Sequence, residues 1–308
     1  MLNIKNILFP TDFSGCAAQA LEHALFLAKF CNATLHIFHA IVLPQKDPHN
    51  PAFYFPDLET IRSKLKKIAR VQMDGDLHAA GEIEGDINIT MEDAWGVSAA
   101  GMILKYAEEH SADLIVMGTH GRCGLGYMFL GSIAEEVVRK APCAVFTVRE
   151  SEKAAPPRNT STILSPIDFS GHSITALLAA RDFAKLYDSK LQVLHVIEET
   201  THPAFYGISK EIVWGLRAEI AIQSRKELAR IFDEFKEPDV PWGIDVVAGH
   251  VADEILEYAL RKQPGMIVLA THGMSGLQHF LLGSVAEKVI RRASCPVLTV
   301  KPFGASPI

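Results

Sequence analysis

The sequence predicts an α/β fold: two doubly wound five-stranded parallel sheets of order 3-2-1-4-5, with helices on both faces of each. The first observation behind this is an internal duplication, which settles the architecture before any element is assigned. Residues 7–42 align without a gap on 163–198 at an offset of 156, with 15 of 36 pairs identical, including Pro10/Pro166, Asp12/Asp168, Phe13/Phe169, Ser14/Ser170 and His39/His195. Residues 119–148 align on 271–300 at an offset of 152, with 17 of 30 pairs identical. The second observation is that each copy alternates short apolar runs with helical periodicity. The third is that these runs are apolar enough to be covered on both faces, which is the signature of parallel strands under right-handed crossovers.

Pro51-Ala52-Phe53-Tyr54 already matches Pro203-Ala204-Phe205-Tyr206 at offset 152, so the second copy loses its four residues in the stretch matching LPQKDPHN, a polar, Pro-rich loop. The segment SEKAAPPRNTST reads as a linker. The expected domains are therefore 1–150 and 163–308, joined by 151–162.

In the first copy, Lys5 to Pro10 is a short apolar strand. Ser14 to Phe30 carries Ala17, Ala20, Leu21, Ala24, Leu27 and Ala28 at helical spacing. Thr34 to Ile41 reads as a strand, Leu58 to Met73 as a basic amphipathic helix, and the stretch around Ile87 to Met91 as a weaker strand. Ala99 to His110 is helical and Asp113 to Met117, DLIVM, is a buried strand. Ser132 to Lys140 is a helix and Cys143 to Arg149 the last strand.

Composition narrows the functional classes. The 308 residues are 48% hydrophobic and 21% charged, near the globular average, so disorder is not expected. With 30 Lys+Arg against 36 Asp+Glu the formal charge is -6, the wrong sign for a partner held through a nucleic acid backbone. No run of 18 apolar residues reads as a membrane span, and Met1 to Asn6 lacks the plan of a secretory signal, so a cytoplasmic protein without nucleic acid or membrane partners is expected. Cys16, Cys31, Cys123, Cys143 and Cys295 are odd in number and show no CxxC spacing, which argues against a disulfide framework or a zinc knuckle. The 13 histidines include no HxxxH or HExxH pair, and no metal site is assigned.

In an open parallel sheet the ligand crevice forms where strand order reverses, here between the first and fourth strands. The first strand runs into Pro10-Thr11-Asp12-Phe13-Ser14, which places a carboxylate at its tip. The fourth runs into Gly118-Thr119-His120-Gly121-Arg122-Cys123-Gly124, and Gly131-Ser132 then opens a helix, whose amino terminus offers backbone N–H groups and about +0.5 of a charge to an anion. There is no GxxxxGK[ST], and Gly121-x-x-Gly124-x-Gly126 is not GxGxxG after a strand, so Walker and dinucleotide readings fail.

The pattern Gly-x2-Gly-x9-Gly-Ser, with the Pro10-Thr11-Asp12 strand end and the His39-Ala40-Ile41 end of strand two, resembles a tandem universal stress protein over nearly the whole chain. In nucleotide-binding members of that family this glycine pattern holds the phosphates and ribose of ATP. The resemblance implies that Asp12 meets the adenosine part and the backbone at Ala40 the adenine. The site it implies comprises Pro10, Thr11, Asp12, Ala40, Met117, Gly118, Gly121, Arg122, Gly131, Ser132 and Ile133. Weaker second-repeat equivalents are Asp168, Val196, Ala270, Gly273, Gly283 and Ser284. Magnesium would arrive with the nucleotide. The two domains in cis would resemble the dimer of single-domain relatives, with a further homodimer open.

Each residue also has a plainer reading. Ser132 with Glu135, and Ser284 with Glu287, match a capping box. Gly118, Gly121 and Gly131 suit turns with positive φ. Asp12 or Ser14 caps the first helix. His120 and His272 are hydrogen-bonding turn residues, and Phe53-Tyr54 and Phe205-Tyr206 pack rather than cover a nucleotide. The repeats also differ, with Ala270 at the position of Gly118 and Met274 at that of Arg122. A strained alanine and a lost cation together cost about 2 kcal/mol, or roughly thirtyfold in affinity, so the first repeat is expected to fill first. Three functions remain open: a nucleotide-binding stress or signalling protein without efficient turnover, a slow ATPase or nucleotidyl-transfer enzyme, and a ligand-free scaffold pairing through Cys143 to Arg149 and Cys295 to Lys301.

Overall fold

The computed structural model describes residues 3–42, 58–81, 87–120, 130–150, 161–198, 210–234, 240–271 and 282–301. The chain divides into two compact units, Met1–Pro156 and Pro157–Pro307. Both are α/β, with every strand pairing inside a unit parallel.

The first unit runs β1 (Asn6–Pro10), α1 (Gly15–Cys31), β2 (Thr34–Val42), α2 (Leu58–Ala79), β3 (Ile89–Gly96), α3 (Ala99–Glu109), β4 (Leu114–Gly118), α4 (Ser132–Lys140) and β5 (Ala144–Val148). Its strands lie in the order β3-β2-β1-β4-β5. The chain therefore reverses direction across the sheet between β1 and β4, and that places the crevice at their carboxyl ends. Ser14 caps α1 by accepting the Ala17 N–H, and Asn32 closes it in the left-handed conformation at φ 51°. Ala17, Ala20, Leu21, Ala24 and Ala28 are buried on the face that meets the strands. Alanines there let the helix lie close to the sheet, and Phe9, Phe38 and Phe146, each almost wholly buried, fill the core. Full burial of such a ring contributes about 1.5 to 3 kcal/mol.

Two expectations need correction. Helix α2 continues past Met73 to Ala79, through Gly75. The third strand covers Ile89–Gly96 rather than the stretch around 87–91. It lies at the edge of its unit and is mostly half-buried, so Glu92 and Asp93 sit in it and dilute the apolar signal.

The second unit repeats the plan with β6 (Thr162–Ile167), α5 (Gly171–Leu186), β7 (Lys190–Glu198), α6 (Lys210–Glu234), β8 (Trp242–Gly249), α7 (Val251–Lys262), β9 (Met266–Ala270), α8 (Ser284–Arg292) and β10 (Val297–Val300). Its order is β10-β9-β6-β7-β8, and Thr162, expected in the linker, opens the first strand. Among the described residues no helix is long and apolar enough to cross a membrane.

The second core buries a hydroxyl where the first has a ring. Ser165 occupies the position of Phe9, is fully buried, and its hydroxyl finds no hydrogen-bond partner among the described residues. Ser165→Ala is expected to stabilise the second unit by about 1 kcal/mol, because the desolvated hydroxyl is removed without a new cavity. Urea unfolding reads this as a raised midpoint, and a lowered midpoint would mean that the hydroxyl is partnered.

A polar cluster lies beneath α3. His36 Nδ1 is 3.0 Å from the Thr90 hydroxyl and 3.2 Å from that of Tyr106, and the ring of His110 is stacked on Tyr106 at 3.8 Å. Burial, and then the neighbouring His110, hold the His36 imidazole below its ordinary 6.5, against an opposing pull from Glu92. Burial and Glu92 push the Tyr106 phenol up to about 12. Because the folded state takes up the His36 proton less readily than the unfolded chain, stability is full above pH 6.5 and falls as pH drops below it. The second repeat has Gln192 at this position. His36→Gln is expected to flatten that acid-side loss in the first unit, seen as a smaller gap between unfolding midpoints at pH 7 and pH 5; an unchanged gap would count against this origin.

Candidate functional site

At the tip of β1 the backbone makes a tight turn held by several hydrogen bonds. The Thr11 N–H donates to the Phe38 carbonyl at 2.9 Å, which keeps this end of the sheet closed one residue past the strand. Thr11 Oγ1 accepts the Phe13 N–H at 3.0 Å, and Asp12 Oδ1 accepts the Ser14 N–H at 3.1 Å. Ser14, not Asp12, caps α1. The carboxylate thus stands half-buried at the strand tip, held by the turn and outside the helix cap. Phe13 adopts φ 62°, a left-handed conformation that costs a side-chain-bearing residue about 1 to 2 kcal/mol.

Beside it, β4 ends in Met117, which is buried, and Gly118. Gly118 does not need a positive φ, contrary to the expectation; it is needed for a close approach. A Cβ there would lie 2.9 Å from Cys16 Sγ, 3.2 Å from the Cys16 carbonyl carbon and 3.3 Å from Ala17 N, so the first turn of α1 lies directly against the strand end. The Cys16 thiol is buried and donates to the Val148 carbonyl at 3.2 Å.

The chain returns to this point at Gly131. Its N–H donates to the Thr119 carbonyl at 2.8 Å, and a Cβ would come within 3.0 Å of that same oxygen. Gly131 itself is the N-cap of α4, at φ -61° and ψ 142°, open to any residue. The capping-box reading is therefore overturned. Ser132 is the first residue inside the helix and, among the described residues, no side chain caps it; the same holds at Gly283 and Ser284 of α8 and at His250 before α7. By contrast α1, α3 and α5 each carry a serine cap: Ser14, Ser98 and Ser170. Helices α4 and α8 thus present uncapped first-turn amides, with Ser132 and Ile133 exposed in the first repeat and Ser284 in the second. Glu135 also stands in that first turn.

The structure therefore brings Pro10, Thr11, Asp12, Met117, Gly118, Gly131, Ser132 and Ile133 to the carboxyl ends of β1 and β4. Ala40, half-buried near the end of β2, lies one strand over. The second repeat gathers Asp168, Val196, Ala270, Gly283 and Ser284 in the same way. Its tip differs, since Ile167 replaces Thr11 and Asp168 Oδ1 accepts from both the N–H and the hydroxyl of Ser170, at 3.0 and 2.6 Å. His120 Nδ1 is 2.8 Å from the Thr119 hydroxyl, as suits a turn residue. Gly121, Arg122, Gly273, Met274, His272, Phe53, Tyr54, Phe205 and Tyr206 lie outside the described residues. Among the described residues no group of three or more His, Cys, Asp or Glu is placed to hold a metal ion.

Two features of the site have no counterpart in the sequence reading: the left-handed phenylalanine, and the packing of Cys16 under Gly118. The first left a trace, since Phe13 and Phe169 are identical in the two repeats and Phe169 adopts φ 64°. The second left none, because Cys16 is replaced by His172 and Gly118 by Ala270.

Comparison with known proteins adds to this geometry. Residues 3–149 and 159–301 each match the model of the universal stress protein family. A universal stress protein of Methanocaldococcus jannaschii is 35% identical over 143 residues, covering 45% of this chain and 81% of that protein. One from Mycobacterium tuberculosis is 29% identical over 192 residues, 62% of this chain and 63% of that protein. The crystal structure of a universal stress protein from Archaeoglobus fulgidus superposes with a TM-score of 0.64 over 98% of this chain and all of that one, at 20% identity, a likeness that bears on the fold.

Proposed function

Because both halves of the chain belong to the universal stress protein family, we propose that the protein binds adenine nucleotide, ATP, at the crevice of its first repeat, and serves stress response or signalling without efficient turnover. The observation that carries the reading is the uncapped start of α4, whose first turn stands at the end of β4, the strand next to β1. Uncapped N–H groups with the helix dipole behind them suit a phosphate chain. Asp12 would meet the adenosine part, and the Ala40 backbone the adenine. Magnesium would enter on the phosphates. Arg122 would add a cation beside them, and Gly121 would let the chain pass close.

In this reading each repeat is a separate binding unit of strand order 3-2-1-4-5, the pair replaces a dimer of single-domain relatives, and the chain works in the cytoplasm. The first repeat is the better site, although not for the reason of backbone strain, since Gly118 needs no positive φ. What favours it is the Thr11 hydroxyl where the second repeat has Ile167, and Arg122 in place of Met274.

The test is to denature freshly purified protein, identify any released nucleotide by mass, and titrate the emptied protein with ATP by calorimetry. One tight site is expected, filled before a second that is weaker by about fivefold, the share owed to the lost cation once the strain of an alanine is removed from the sum. Two equal sites would defeat the asymmetry. No adenine absorbance and no thermal shift with ATP would leave the scaffold reading instead.

A further inference from the structure

In both repeats one imidazole ties the tip of the first strand to the end of the second. His39 precedes Ala40 on β2, and its Nδ1 lies 2.7 Å from the Thr11 carbonyl oxygen. His195 precedes Val196 on β7, and its Nδ1 lies 2.9 Å from the Ile167 carbonyl oxygen. A carbonyl oxygen only accepts, so Nδ1 carries the hydrogen in both rings. Each ring also lies against the left-handed phenylalanine of the following turn, His39 at 4.5 Å from Phe13 and His195 at 4.7 Å from Phe169. The side chain at the accepting position is threonine in one repeat and isoleucine in the other. What both repeats keep is therefore the main-chain acceptor, the imidazole and the phenylalanine.

We propose that His39 and His195 are positioning residues for the adenosine half of the nucleotide. Each holds the turn that carries Asp12 or Asp168 at a set distance from the strand end that carries Ala40 or Val196. This rests on the nucleotide-binding reading above and assigns the imidazole a part in it that requires no contact with the ligand. The bond and the ring contact act on the same turn from two sides. The hydrogen bond fixes the carbonyl before the aspartate, and the ring packs against the residue after it, so the carboxylate between them has one place to stand. The helix start that would take the phosphates lies on the other side of β1, against β4. Losing the imidazole should therefore weaken recognition of adenosine and leave phosphate recognition alone.

The test uses the full chain with His39→Ala and His39→Asn, whose amide Nδ2–H reaches the place of the imidazole Nδ1–H. Affinities for ATP and for inorganic tripolyphosphate are measured, together with amide exchange at Phe13 and Ser14 in ligand-free protein. His39→Ala is expected to weaken ATP by about tenfold, to leave tripolyphosphate within about twofold, and to speed exchange of those two amides by about tenfold. His39→Asn is expected to restore all three. ATP affinity unchanged in His39→Ala, or ATP and tripolyphosphate weakened alike, would overturn the proposal. Wild-type protein that binds neither ligand would overturn the nucleotide reading instead. The exchange comparison then still decides the imidazole's part: a rise reversed by asparagine upholds its hold on the turn, and unchanged exchange refutes it.

Discussion

Gly118→Val is expected to destabilise the first repeat by about 3 kcal/mol, near the top of the cost of forcing methyl groups into a packed interior. Its first added carbon alone would stand 2.9 Å from Cys16 Sγ and 3.2 and 3.3 Å from main-chain atoms of α1. The sulfur can be removed but the backbone cannot. Cys16→Ala in the same chain should therefore recover only part of the loss, and the two changes should couple by about 1 kcal/mol in a double-mutant cycle. Denaturant unfolding followed separately for the two repeats measures both, and the second repeat, which already has Ala270 here, should not move. A first-repeat midpoint equal to wild type would refute the close approach of helix and strand.

Gly131→Ala is expected to act on affinity more than on stability. At φ -61° and ψ 142° alanine is conformationally at ease, but its Cβ would meet the Thr119 carbonyl oxygen at 3.0 Å. The start of α4 must then move off the end of β4 by a few tenths of an ångström. In the proposed nucleotide complex the amides that would meet a phosphate lose alignment, and the loss of one charge-assisted bond would weaken ATP by about tenfold to a hundredfold at the first site. Calorimetric titration should show the tight site gone and the weak one kept. Unchanged affinity together with lowered stability would mean that the glycine serves only the helix start.

The two substitutions also mark where sequence reading succeeds. Elements whose signal is local were legible: α1 from its alanine and leucine spacing and Ser14, β1 and β4 from apolar runs ending in Pro10 and Gly118, and α4 with both ends where periodicity puts them. The extra turns of α2 were hidden by Gly75, which stands there in open space and costs only its own flexibility. Strand β3 was hidden because an edge strand shares its residues with solvent, and Glu92 and Asp93 interrupt the alternation that marks a buried one.

By itself, then, the sequence determined that the chain is a duplication, that each copy alternates strand and helix, and which strand ends bear the carboxylate and the glycines. These follow from composition, periodicity and self-similarity, which are properties of neighbours along a chain. Only the tertiary structure decided why Gly118 is a glycine, that Ser132 lies inside its helix with Gly131 as the cap, and that His39 grips the Thr11 carbonyl. Each of these depends on atoms from distant segments arriving within about 3 Å of one another, a distance at which packing and hydrogen bonding act but of which a linear pattern holds no record.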